Sequence, residues 1–259
     1  MKTPITYYGG KQKLANRILP LLPSHVLYAE PFAGGAAILF AKDPSEIEVL
    51  NDTNKELINF YKVVQQDFVT LEKRVRITLH SRDMHADAEA IYARPHLFEE
   101  IDRAWAVWVM ASQSFSSILG GSWGYDKKKN TTTKKISNKG LQFNEDYAIR
   151  LQNVQLECSD ALYIIKSRDT EQSFFYCDPP YFNSDCAHYK GYSEHDFKNL
   201  LNTLAEIKGK FLLSSYPSPL LAEYTKKFGW HNNQIEQQVS VNKGSGKKKT
   251  EMLTANYKI

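Results

Sequence analysis

The apolar run Ser173-Phe174-Phe175-Tyr176 ends in Cys177-Asp178-Pro179-Pro180-Tyr181, and that junction restricts what the chain can fold into. Two successive prolines donate no backbone hydrogen bond, so a sheet ladder has to stop there. They also stiffen the turn. A carboxylate, a proline-flanked carbonyl and an aromatic ring are then presented together at the C-terminal end of a buried strand. Open α/β sheets bind their ligands at that edge. Two acceptors beside a flat stacking surface suit an amino group on a planar ring, such as the exocyclic nitrogen of adenine or cytosine. Pro-Pro alone reads as a strand-ending turn, and the flanking Asp178 and Tyr181 are what make the segment a candidate site.

Composition narrows the class without deciding the function. With 259 residues, the chain is long enough for one large domain or for a core with an insertion. Hydrophobic content of 42% and charged content of 24% are those of a globular protein. No apolar run approaches the ~20 residues that span a bilayer, and Met1-Lys2-Thr3-Pro4 lacks the apolar centre of a signal peptide. Cys158, Cys177 and Cys186 are odd in number and form no CxxC pair, which points to a reducing, cytoplasmic setting and away from structural zinc. The seven histidines have no metal-ligand spacing, so no metal is expected. Net charge is only +4, but it is concentrated. Lys127-Lys128-Lys129, Lys134-Lys135 and Lys139 crowd one polar stretch, and Lys247-Lys248-Lys249 form a second cluster. Such runs are often plain solvated loops. The first lies beside Trp123 and Tyr125, and lysines mixed with aromatics fit a nucleic-acid surface.

The N-terminal part reads as a cofactor-binding unit. Ile5-Thr6-Tyr7-Tyr8-Gly9-Gly10-Lys11 precedes a helical pattern through Leu14, Ile18, Leu19 and Leu22. Strand 26–30 follows, then Pro31-Phe32-Ala33-Gly34-Gly35-Ala36-Ala37, then a helix through Ile38, Leu39 and Phe40. Strand, glycine turn and helix place a nucleotide-like ligand at a helix start. Strand 46–50 ends in Asn51-Asp52, with Asp52 17 positions beyond Gly35, where an acid accepts from ribose hydroxyls. No Lys-Ser/Thr pair follows the glycines, which argues against a triphosphate. Glu30 repels phosphate and attracts ammonium. S-adenosylmethionine carries a ribose, an α-amino group and a sulfonium and no phosphate, so it fits better than NAD.

Between residues 65 and 155 the texture changes. Residues 68–82 and 96–112 read as helices, with Trp105, Trp108 and Val109 on a buried face. Gly120-Gly121-Ser122-Trp123-Gly124-Tyr125 and the lysine-rich stretch read as an exposed hairpin with a polar tip. This predicts an inserted helical domain carrying a basic β-hairpin. A strand resumes at 154–158 and ends in Ser159-Asp160, Ser193-Glu194-His195-Asp196 has capping-box spacing before a helix through Phe197 and Leu204, and 211–215 is a further buried strand.

Taken in order, Tyr7-Tyr8-Gly9-Gly10-Lys11, Glu30-Pro31-Phe32-Ala33-Gly34-Gly35, Asn51-Asp52, Asp178-Pro179-Pro180-Tyr181 and the ending Glu251-Met252-Leu253-Thr254-Ala255-Asn256-Tyr257 resemble the Dam-type DNA adenine-N6 methyltransferases. The resemblance covers nearly all of the chain outside residues 65–155. It implies a Rossmann-like α/β methyltransferase sheet formed by residues 1–64 and 156–259, with a target-recognition domain at 65–155. It implies S-adenosylmethionine as methyl donor, contacted by Tyr7, Lys11, Glu30, Phe32, Gly34, Asp52, Asp160 and Asp178. Phe32 also reads as plain core and Asp160 as a helix cap, and Tyr7 and Lys11 rest mostly on the resemblance.

Asp178, Pro179 and Tyr181 would be catalytic: the target adenine flips out of duplex DNA, Tyr181 stacks on it, and Asp178 and the Pro179 carbonyl accept from its amino group. Lys127, Lys128, Lys129, Lys134 and Lys135 would contact phosphates. Tyr125 belongs to the same surface, and Trp123 or Ile118 would wedge where the base leaves. Relatives that read GATC carry an arginine-bearing Asn-Gly-Leu-x-Arg-like run near this hairpin. The comparable stretch here, 113–121, has no arginine, so the target sequence stays open. A monomer or weak dimer in the cytoplasm of a bacterial or phage-infected cell is expected. An RNA or other amino-group methyltransferase, a cytosine-N4 enzyme and a DNA-binding relative without catalysis are the rival readings.

Overall fold

The computed structural model describes residues 1–182, 191–238 and 248–259. Cys186, Lys247 and most of the aromatic loop after Phe182 lie outside the described residues. In chain order the elements are α1 (Ala15–Ile18), β1 (Leu27–Glu30), α2 (Ala37–Ala41), β2 (Ile47–Asn51), α3 (Lys55–Gln66), α4 (Phe68–Ile77), α5 (Arg82–Ala93), α6 (Glu100–Gln113), α7 (Thr131–Gln142), α8 (Asp146–Leu151), β3 (Val154–Glu157), α9 (Ala161–Ser167), β4 (Ser173–Cys177), α10 (Glu194–Glu206), β5 (Lys210–Ser215), α11 (Pro219–Phe228), β6 (His231–Gln238) and β7 (Lys248–Ala255). Among the described residues, no helix is long and apolar enough to cross a membrane.

The chain divides into two compact units. The first holds Met1–Leu19, Gly34–Pro44 and Asp52–Cys158, and the second holds Pro20–Ala33, Ser45–Asn51 and Ser159–Ile259. The division cuts between Ala33 and Gly34, between Asn51 and Asp52, and between Cys158 and Ser159, inside three of the motifs read above. Residues 65–155 fall wholly in the first unit.

The second unit is built on a sheet in which β2, β1, β4, β5, β7 and β6 lie side by side in that order. The first four run parallel, and β7 is antiparallel to both β5 and β6. Parallel strands covered on both faces read as unbroken apolar runs rather than alternating ones, and β4 is buried at every position. Strand alternation still sorts the side chains. Ala29, Val49, Phe175, Cys177, Phe211 and Leu213 face one core, together with Ile164 and Ile165 of α9, Leu200, Leu201 and Leu204 of α10, and Leu221 of α11. Tyr28, Glu30, Tyr176 and Ser214 occupy the opposite parity and are buried as well. Helix α10 starts at a reciprocal capping box between Ser193 and Asp196, as its spacing predicts.

The first unit is mostly helical. Asn54 caps α3 by accepting from the N–H groups of Glu56 and Leu57. Arg103 of α6 makes a two-pronged ion pair with Glu56 of α3 at 2.8 and 2.9 Å. The sequence pattern merges residues 68–82 into one helix, but α4 stops at Ile77. Thr78 turns extended, its hydroxyl donating to the Arg74 carbonyl, and Ser81 then caps a new helix, α5, by accepting from Met84. The α5 helix is absent from the sequence reading. The N-terminal helical pattern through Leu22 is likewise broken, into the single turn α1 flanked by 3₁₀ turns.

Of the expected β-hairpin only one antiparallel bridge exists, Ser114 with Trp123. The turn between them holds Ser116 and Ser117 at positive φ. The lysine-rich stretch is not a hairpin tip. It runs as a short loop into α7, because the Asp126 carboxylate accepts from the Thr131 hydroxyl and the Thr132 N–H and so supplies the helix start. Those donors hold the Asp126 carboxyl below its ordinary range.

Candidate active site

In the first unit the two glycine motifs meet through one ring. Tyr7 to Gly10 form a tight turn, with Gly10 N–H donating to the Tyr7 carbonyl at 3.0 Å and Gly9 at φ +76°. A positive φ at that third position is the mark of a type II turn and favours glycine. The Tyr7 ring then lies along Gly34-Gly35. A Cβ on Gly34 would sit 3.1 Å from Cδ1 of Tyr7, and a Cβ on Gly35 would sit 3.0 Å from its Cβ. Gly34 is also held at φ +46°. Tyr7 therefore presses on any side chain at either position, and at Gly34 the backbone conformation favours glycine as well. Lys11 is buried, and its ammonium donates to the Gly9 carbonyl at 3.2 Å.

Asp52 closes the same unit. One carboxylate oxygen accepts from the Gly34 N–H and the other from the Asn54 N–H, both at 2.9 Å. Burial raises its pKa, and these two N–H groups oppose the rise. Asn54 in turn donates to the Tyr92 hydroxyl at 2.9 Å, and the Tyr61 hydroxyl donates to the Gly34 carbonyl at 2.8 Å. The Tyr7 phenol is pushed up, first by burial and then by the nearby Asp52 carboxylate.

In the second unit Asn51 holds two turns together. Its amide donates to the carbonyls of Pro31 at 2.8 Å and Ser159 at 3.0 Å and accepts from the Ser159 N–H at 2.9 Å. Phe32 and Asp160 follow directly after these tied residues. Phe32 is half-buried, packed on the sheet's core and edge-on to Tyr192 at 6.4 Å. Asp160 caps α9 by accepting from the Tyr163 N–H at 3.0 Å. Glu30 is buried at the end of β1 and accepts from the Tyr28 hydroxyl at 2.7 Å.

Asp178, Pro179 and Tyr181 follow β4 directly, and Asp178 and Tyr181 are half-exposed. The Tyr181 hydroxyl lies 3.1 Å from Asp178 Oδ1 and 3.3 Å from Ser214 Oγ, and it donates to Glu251. The Ser214 hydroxyl also donates to Glu251. The Tyr181 ring is tilted against that of Tyr216, with centroids 4.3 Å apart. Burial, the adjacent Asp178 and then Glu251 all push the Tyr181 phenol well above its ordinary range, so it stays a donor.

Among the nucleic-acid residues read from the sequence, Lys127, Lys128, Lys129, Lys134 and Lys135 are all exposed. Trp123 and Ile118 are half-buried, and Tyr125 is exposed. Trp123 and Tyr125 stack at 18° with centroids 5.4 Å apart, and the Arg82 guanidinium lies 4.6 Å above the Trp123 ring. His80 and Gln113 hold this group from beneath: His80 contacts the Gly124 carbonyl and the Thr133 hydroxyl, and Gln113 lies 3.3 Å from the Trp123 indole nitrogen. Trp123 is thus fixed in a stack. Phe115, 63% exposed at the head of the turn, is a more open apolar side chain and is absent from the sequence reading. Arg82, Ser214 and Glu251 have no site role in it either. For Glu251 a signal existed, since it opens the closing run that carries the family resemblance. No cluster of metal-ligating side chains exists among the described residues.

A strand-end Asp-Pro-Pro-Tyr in one unit, a glycine turn tied to the Asp52 carboxylate in the other and a mainly parallel sheet are the features of a methyltransferase class of α/β protein. The family model of the D12 class N6 adenine-specific DNA methyltransferases matches residues 7–240, and the chain belongs to that family. It is 25% identical to the type II methyltransferase M1.LlaDCHI of Lactococcus lactis subsp. cremoris, covering 96% of this chain and 93% of that protein. It is 23% identical to the DNA adenine methylase of Escherichia coli K12, covering 98% and 94%. Among solved structures, a putative RNA methyltransferase from Pyrococcus horikoshii is similar at a TM-score of 0.39 and 9% identity, covering 94% of this chain and 79% of that one. The protein is a site-specific DNA adenine-N6 methyltransferase that uses a methyl-donor cofactor and acts on DNA.

Proposed function

We propose that the donor is S-adenosylmethionine and that the reaction is a direct transfer to a flipped adenine. The arrangement of Asp178, Pro179 and Tyr181 after β4 carries this reading. The donor set fits the cofactor's chemistry. Asp52, an acceptor beside a side-chain-free glycine turn, suits ribose hydroxyls, and the carboxylates Glu30, Asp160 and Asp178 suit a cationic ligand and disfavour a phosphate. When bound, the cofactor supplies an activated methyl group on a sulfonium leaving group. Tyr7, Lys11, Glu30, Phe32, Gly34, Asp52 and Asp160 are the residues proposed for it.

The remaining work falls to the chain's own side chains. A target base is out of reach inside a duplex, so it leaves the stack. Tyr181 offers it a ring face. Asp178 and the Pro179 carbonyl accept from its amino group, which turns the nitrogen lone pair out of conjugation with the ring. No residue has to form a covalent bond to substrate, and positioning supplies most of the rate. Residues 65–155 recognise DNA, with Phe115, Ile118 or Trp123 available as the wedge. The protein works in the cytoplasm as a monomer or weak dimer.

Methyl-aware long-read sequencing of DNA from a methylation-free host expressing the chain tests this. N6-methyladenine confined to one short motif is expected. A folded protein that binds S-adenosylmethionine but leaves adenine unmodified would move the substrate to RNA, protein or cytosine.

The exposed lysines act on phosphates. Replacing Lys127, Lys128 and Lys129 together by alanine is expected to weaken DNA binding equally for cognate and unrelated duplexes. The slope of log K against log salt should become shallower by about 1 per lost phosphate contact, up to about 3, while the methylated motif stays the same. A changed motif would make these lysines readers of sequence.

A further inference from the structure

Tyr181 carries one hydroxyl proton and has two carboxylates within reach. Asp178 Oδ1 is 3.1 Å away, and the hydroxyl donates to Glu251. The hydroxyl has a single hydrogen to give, and the carboxylate that accepts it fixes where the ring stands. Glu251 is built to accept that hydrogen. It is 5% exposed, and it also accepts from Ser214, so the carboxylate is fixed by a second hydroxyl. The fold places it there by register. Ser214 of β5 faces Leu253 of β7, and Glu251 lies two residues along on the same face of β7.

From this geometry we infer that Glu251 is a positioning residue for the methyl-transfer site. It accepts a hydrogen bond from the Tyr181 hydroxyl and so pins the far edge of the Tyr181 ring, holding its face for the base. No bond is made or broken at Glu251, and the proton stays on the tyrosine. The inference rests on the assignment of Asp178 and Tyr181 to the reacting base.

The test is a double-mutant cycle read by single-turnover methyl transfer on cognate DNA. Glu251→Gln keeps the shape but weakens the acceptor and adds an amide donor. It is expected to slow the methyl-transfer step about 10- to 100-fold, with cofactor and DNA dissociation constants unchanged within about twofold. Tyr181→Phe keeps the ring and removes the hydroxyl. In that background Glu251→Gln should cost little more, because the bond it disturbs is already gone. Additive losses, or a Glu251→Gln enzyme at the wild-type rate, overturn the inference. Should Glu251→Gln not fold, Ser214→Ala takes its place in the same cycle, with a smaller loss and the same non-additivity expected. Asp178→Ala separates the two levels. If it too turns over normally, the assignment of the site fails. If it is inactive while Glu251→Gln is unaffected, only the role of Glu251 fails.

Discussion

Asp178→Ala is expected to abolish methyl transfer, by about 10³-fold or more in the single-turnover rate, while the protein still binds S-adenosylmethionine. The carboxylate follows β4, whose neighbours on both sides are parallel strands, and so it is delivered by the interior of the sheet. Its job is to accept from an amino group at the moment the nitrogen attacks, and groups aimed at developing charge typically contribute several kcal/mol. The first-unit residues assigned to the cofactor do not depend on it, so calorimetric binding should persist within about tenfold, a change of about 1.4 kcal/mol. Asp178→Asn should be nearly as damaging, because the amide presents a donor where the substrate also presents N–H. Wild-type-like turnover in either variant would refute the catalytic assignment.

Asp52→Ala should have the second largest effect, at the binding step. The carboxylate satisfies the backbone N–H groups of Gly34 and Asn54 at once. Removing it strands two donors, each costing about 1–3 kcal/mol if left unpaired. It also takes away the acceptor proposed for the ribose. The expected result is a cofactor Kd raised about a hundredfold, equivalent to about 2.7 kcal/mol, with a lowered melting temperature. Asp52→Asn should fall between, since its amide oxygen can still serve one of the two N–H groups. Because burial raises the Asp52 pKa, protonation begins above the ordinary carboxylate range. Cofactor affinity should therefore start to fall at a higher pH on acidification than an exposed aspartate would produce. An unchanged Kd in Asp52→Ala would remove Asp52 from the cofactor site.

What the sequence made legible was local. The strand ending at Asp178, the capping box at Ser193 and the cap at Asp160 each depend on a few neighbouring residues, and all three occur as their patterns indicate. What stayed hidden depends on distant partners. Glu251 meets Tyr181 only through the register of β5 with β7, and Arg82 reaches Trp123 across 41 positions of chain. The missed break at Thr78 and the lysines drawn into α7 have a different cause. In both places a side chain satisfies backbone groups in a way that propensity and periodicity do not register: Thr78 and Ser81 in one, Asp126 in the other.

The contact between Tyr7 and Gly34-Gly35 bears on how this sequence can drift. A Cβ at position 35 would press on the Cβ of residue 7, and one at position 34 on its aromatic ring, so in each case the neighbour has to give by a few tenths of an ångström. A side chain gained at position 34 or 35 is thus conditional on what stands at position 7, which ties sites 27 and 28 residues apart in the chain. In a library of random substitutions positions 34 and 35 should accept few replacements beside Tyr7, and those accepted at position 34 should be enriched together with a smaller residue at position 7.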